Sequence, residues 1–73
     1  DEVNAFREVE QWRDQLLRDD YDLLDELTNR FINFDRQHIR QLIRNAKKEQ
    51  ELNKPPKSAR LLFKYLTEML VPS

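Results

Sequence analysis

Arg36, Arg40, Arg44 and Lys48 recur at intervals of four, with Lys47 among them. On a helix these five cations fall within about 120° of one another, beside an apolar stripe. Lys57, Arg60 and Lys64 repeat the device at steps of three and four, and Lys54 stands between the two sets. The expected result is a positive surface running across two helices and their joint. Its natural partner is a nucleic-acid backbone, because neutralising several phosphates releases their counterions. Arginine adds forked hydrogen bonds to phosphate and can stack on bases. Pro55-Pro56 would hold Lys54 and Lys57 in a fixed relation and lower the ordering cost of binding. A solvated helix face accounts for the same residues: Lys47 and Lys48 complement a helix C-terminus, and Glu51 is spaced to pair with either.

Other reactive residues are sparser. His38 follows Asp35 by three, so both could face one metal, yet no third ligand accompanies them and a surface histidine near a helix start is the preferred reading. Trp12, Phe31, Phe34 and Phe63 read as core, which leaves Tyr65 as the one aromatic considered for base stacking. The run Asp19, Asp20, Asp22, Asp25 and Glu26 reads as a helix start with a solvated face, since its spacing does not force carboxylates onto one Mg²⁺. No grouping supports a hydrolase. The expectation is therefore a non-enzymatic protein, with no catalytic residue, metal, cofactor, small-molecule substrate or membrane partner.

The composition bounds these readings. The chain has 73 residues, enough for one domain, and carries neither Cys nor Gly. A chain this short buries only about 60% of the surface it exposes unfolded, which leaves little room for an enclosed active site. Without cysteine the natural home is a reducing compartment, here the cytoplasm. Without glycine, tight hairpins that require positive φ are disfavoured, as are Gly-rich phosphate loops. No apolar run approaches the roughly 20 residues of a membrane helix. A net charge of −1 conceals an asymmetry: residues 1–35 sum to −7 and residues 36–73 to +6. Either one half meets a polyanion or the halves attract each other. The chain opens at Asp1 and reads as a piece of a longer protein.

The elements that must position these residues are helices. Ala5, Phe6, Val9, Trp12 and Leu16 form one stripe over about 2–18. Asp20 is the expected N-cap of a second helix that buries Leu23, Leu24, Leu27 and Phe31. Asn33-Phe34-Asp35 reads as a turn, with Asp35 capping a third helix to about 50 that buries Ile39, Leu42, Ile43 and Ala46. A fourth helix starts around Pro55 or Pro56, since proline is tolerated in a first turn, and runs to about Leu70 with Pro72 beyond it. Its apolar set Leu61, Leu62, Phe63, Tyr65, Leu66, Met69 and Leu70 spans about 200°, which implies a central helix with more than one neighbour. Phe63, halfway along it, is expected to be buried. The fold class is thus all-α, a small bundle of three to four helices. One domain is expected over 1–73: residues 20–70 form the compact bundle, and 1–18 either pack on it or end a long connector helix.

The stretch Ile43–Arg60, IRNAKKEQELNKPPKSAR, adds a specific sign. Its RNAKKE helix end, its NKPPKSAR corner and the aromatic-bearing LLFKYLTEML that follows resemble a signature block of the DarP (YjgA) family of bacterial ribosome-associated proteins. The first 42 residues resemble the family mainly in pattern. The resemblance implies two small helical bundles joined by a long helix, of which this chain would be the second bundle with the end of the connector. It also implies association with late precursors of the large (50S) ribosomal subunit and contact with ribosomal RNA, without enzymatic activity. The matching residues are Arg44, Lys47, Lys48, Lys54, Lys57 and Arg60, with Asn45 and Ser58 as polar neighbours; Arg36, Arg40 and Lys64 join them from the basic stripe. In the competing reading the chain is a protein-interaction module whose acidic first half docks on the basic tail of a ribosomal protein.

Overall fold

A computed structural model describes residues 2–70, with side chains from Asn4 onward. Four helices follow one another: α1 (Glu2–Leu17), α2 (Tyr21–Arg30), α3 (Arg36–Glu51) and α4 (Lys57–Leu70). Among the described residues there is no strand, so the chain is a small all-α bundle. Pro72 lies outside the described residues.

Local chemistry sets the helix starts. The Asp20 carboxylate accepts the Leu23 amide at 3.1 Å, and the Asp35 carboxylate accepts the His38 amide at 3.1 Å. Each satisfies a donor that the first helical turn leaves without a partner. The helix ends are less expected. α1 closes with the Asp20 amide bonded to the Gln15 carbonyl (3.1 Å) and the Asp19 amide to that of Leu16 (3.1 Å), around Asp19 at φ 65°. α3 closes in the same way, Lys54 to Glu49 (2.9 Å) and Asn53 to Gln50 (3.2 Å), around Asn53 at φ 55°. These are the left-handed closing turns that usually take glycine. In a chain without glycine, Asp and Asn fill the role, because their short polar side chains tolerate that region best.

Packing follows the apolar stripes. Val9, Trp12 and Leu16 of α1, Leu23, Leu24 and Leu27 of α2, and Ile39, Leu42, Ile43 and Ala46 of α3 are all buried. α4 lies against both α3 and α1, the more than one neighbour expected of it, whereas α1 packs against all three other helices. α1 is therefore packed into the bundle through its whole second half. The detail of α4 differs from expectation. Leu62 and Leu66 are fully buried, whereas Phe63 is only half-buried and Leu61 is 46% exposed. At 100° per residue Leu62 occupies the middle of the apolar arc, and Phe63 and Leu61 mark its two edges. Phe31 is likewise half-buried; its ring meets Trp12 edge-on at 6.1 Å. Helix α4 begins at Lys57, after both prolines, with the Pro56 carbonyl accepting the first helical bond from Arg60 (3.2 Å).

Candidate nucleic-acid interface

The helical repeat fans the five α3 cations out from the edge of the buried stripe in the order Arg36, Lys47, Arg40, Arg44, Lys48. The two nearest that edge turn toward the acidic half. Arg36 pairs with Asp25 of α2, and Lys47 with Asp19 at the α1–α2 turn. Glu51, spaced to pair with Lys47 or Lys48, forms no ion pair among the described residues. Arg40, Arg44 and Lys48 are exposed, and none of them is ion-paired among the described residues. The two halves thus attract each other through part of the stripe, while the rest faces solvent. Exposed pairs of this kind contribute about 0–1 kcal/mol each, so they orient the helices more than they hold them.

Beyond Lys48 the fan passes to uncharged polar groups. Gln41 donates its side-chain amide to the Asn45 carbonyl at 3.1 Å, and Asn45 is half-buried. On α4, Lys57, Arg60 and Lys64 lie roughly opposite the buried row Ser58, Leu62 and Leu66. They diverge from there. Lys64 borders a hollow with His38, Leu61, Tyr65 and Glu68, on the α3 side. Arg60 borders another with Glu10, Arg13, Pro56, Ala59 and Phe63, on the α1 side. Lys54 stands exposed at the corner, beside Leu17, Ala46, Gln50, Asn53, Pro56 and Ala59. The cations therefore spread around the corner and both flanks of α4, with Leu61 and Glu68 breaking the band between α3 and α4.

Ser58 is a correction to the expected surface. It is only 5% exposed, and both its polar groups are committed: the Glu49 carboxylate accepts the Ser58 hydroxyl at 2.6 Å and the Ser58 amide at 2.9 Å. Glu49, from the last turns of α3, thus caps α4 across the corner. The α4 N-terminus is not open to a phosphate, because a carboxylate of the chain itself already holds it. The Ser58 hydroxyl first, then its amide, and more weakly the Lys57 amide and charge, hold the Glu49 carboxyl below its ordinary 4.5 despite some desolvation. A carboxyl lowered in the folded state stabilises the fold above the unfolded value, and the gain is lost as pH falls through the folded value. Glu49→Gln should therefore melt below wild type at pH 7. The difference should close on acidification below 4.5. Circular-dichroism melts across that range check this; a gap that persists to strongly acid pH would remove Glu49 from its capping role.

Tyr65 is also corrected. Its hydroxyl accepts the Asp35 amide at 2.7 Å and donates to the Asn33 carbonyl at 3.2 Å. Its ring meets Phe34 edge-on at 5.9 Å and His38 at 5.5 Å. Tyr65 is a fastener between α4 and the α2–α3 turn, not a free stacking platform. The Asp35–His38 spacing is that of a helix cap, and among the described residues no three His, Asp or Glu side chains are grouped to hold a metal. No helix of the described residues is long and apolar enough to cross a membrane.

Glu49, which holds Ser58 across the corner, and Arg13, whose guanidinium lies over the Phe63 ring at 5.4 Å, were not singled out in the sequence, and Asp19, read as part of a solvated face, pairs with Lys47. The RNAKKEQ string did contain Glu49, but its partner is nine residues away across a turn.

A protein-family model described as dual-action ribosomal maturation protein DarP matches residues 1–67. The chain is 54% identical over 68 residues to the dual-action ribosomal maturation protein DarP of a Klebsiella pneumoniae strain, covering 93% of this chain and 37% of that protein. It is 50% identical over 68 residues to that of Cronobacter sakazakii, with the same coverage. To that of Edwardsiella ictaluri it is 51% identical over 65 residues, covering 89% of this chain and 35% of the relative. The chain thus spans a little over a third of the length of these relatives. No solved structure matches it.

Proposed function

Because the chain belongs to the DarP family of dual-action ribosomal maturation proteins, we propose that it serves ribosome maturation as a non-enzymatic module that grips ribosomal RNA of large-subunit precursors late in assembly. In this reading it is the second helical bundle of a longer cytoplasmic protein. The observation that carries it is the exposed set Arg40, Arg44 and Lys48 on one face of α3, none of them ion-paired among the described residues, continued at the corner by Lys54 and Lys57. The clasp between Glu49 and Ser58 supports it, because a corner fixed before binding orders little on contact. The mechanism is mechanical and electrostatic: a preformed cationic ridge neutralises phosphates and holds a precursor conformation.

The test is the salt dependence of binding to protein-free ribosomal RNA. If roughly five cations touch phosphates, log affinity against log salt should slope at about −3.5 to −4.5. A slope near zero, with binding instead to a basic ribosomal protein, would favour docking through the acidic half. Crosslinking of the full-length protein to purified precursors then locates the contact.

A further inference from the structure

Resting on that RNA-binding reading, we propose that the hollow between α1 and α4 is a nucleobase site which takes one unpaired guanine of the bound RNA. Its lining is Glu10, Arg13, Pro56, Ala59, Arg60 and Phe63, around a volume of about 450 Å³. That lies within the roughly 300–1,000 Å³ typical of small-molecule sites.

Glu10 and Arg13 line it from α1, Ala59, Arg60 and Phe63 from α4, and Pro56 from the turn before α4. The rings of Phe6 and Phe63 stack almost parallel, 6.3 Å between centroids with 5° between planes. The Arg13 guanidinium lies over Phe63 at 5.4 Å and pairs with Asp14 at 3.2 Å, so its outer face is the flat cationic surface offered to a base. Phe6, stacked on Phe63, is 47% exposed. Flat aromatic and guanidinium surfaces beside small apolar walls are what an unstacked base seeks.

The polar groups are few, and they discriminate. Arg60 is exposed and not ion-paired among the described residues, so it is free to take the phosphate of the same nucleotide. Glu10 is the one hydrogen-bond acceptor side chain in the lining. A carboxylate repels phosphate, but it accepts two parallel hydrogen bonds from the adjacent ring N–H and amino group that guanine alone presents on its pairing edge. Adenine and cytosine offer one amino donor beside an acceptor, and uracil one N–H between two carbonyls. The hollow also lies on the flank of α4 away from α3.

Titrating GMP, AMP, CMP, UMP and inorganic phosphate into the isotope-labelled chain, and following the Ala59 methyl and Phe63 ring signals, tests this. GMP should shift both, with an affinity about tenfold above the other nucleotides, the scale of a bidentate base contact. Glu10→Gln should erase that preference, and Arg60→Gln should weaken all four nucleotides alike. Equal shifts from inorganic phosphate and GMP would overturn the base site and leave an anion contact. The parent reading is separable. If ribosomal RNA binds with its steep salt slope while GMP leaves Ala59 and Phe63 unmoved, the base site alone falls. If GMP binds as described while ribosomal RNA shows no salt-dependent binding, the site stands and the phosphate ridge falls.

Discussion

Leu62→Ala is expected to remove a large share of the free energy that holds the bundle folded. Leu62 is fully buried at the centre of the α4 apolar arc, between the Leu66 turn and the Ser58 turn, where α4 meets both α3 and α1. Truncating a buried leucine removes about 2–5 kcal/mol, the upper part of the range applying where neighbours cannot collapse into the space. A domain of this length holds only about 4–11 kcal/mol in total. Phe63→Ala, one residue on, should cost clearly less, about 1–2 kcal/mol. It removes a half-buried ring and one aromatic stack, at the lower end of what truncating a buried side chain costs. Denaturant unfolding of the two variants ranks them. If Phe63→Ala proves the more damaging, α4 is rotated from the position described.

Reversing Arg40 and Arg44 to glutamate should strip the chain of most of its affinity for ribosomal RNA. Both are exposed, and neither is ion-paired among the described residues, so the reversal leaves the core in place. Losing two phosphate contacts should flatten the salt slope by about 1.4–1.8. The loss should be alike for all RNA sequences, because phosphate contacts carry no sequence information. Full-length protein with both changes should disappear from large-subunit precursors in a sucrose gradient. Neutralising Lys47 instead should matter less, since Asp19 already occupies its charge. A folded double variant that still travels with precursors, at an unaltered slope, would show the ridge to be a solvated face.

Much of the bundle can be read directly in the sequence because its decisive interactions are local. The Asp20 and Asp35 caps close over three residues. The α3 stripe Ile39, Leu42, Ile43 and Ala46 is narrow enough to leave one rotation available. The α4 stripe already centres on Leu62 by the 100° repeat; placing Phe63 halfway along the sequence of the helix mistook position in the chain for position on the arc. The basic residues were visible by type and spacing, but their availability was not. Whether Lys47 meets RNA or Asp19 depends on a contact 28 residues apart, and the fate of Ser58 on one nine residues apart. The helix closings were not legible either: Asp19 and Asn53 adopt positive φ where helix geometry demands a left-handed closing residue.

Those two residues also shape the unfolded chain. Glycine at either position would sit in the left-handed region without steric cost, whereas a side chain there costs about 1–2 kcal/mol in the native state. Glycine would also widen the range of conformations open to the unfolded chain, a penalty of about 0.4–1 kcal/mol that Asp19 and Asn53 avoid. The two effects run in opposite directions and leave a small difference. Pro55-Pro56, immediately after the second turn, narrows the unfolded ensemble further. The connections of this bundle are therefore stiff before it folds, and neighbouring helices have short, already restricted paths by which to meet. The α3–α4 corner can therefore form early, whereas the packing of α1 on α4 joins the two ends of the chain and must close the longer loop.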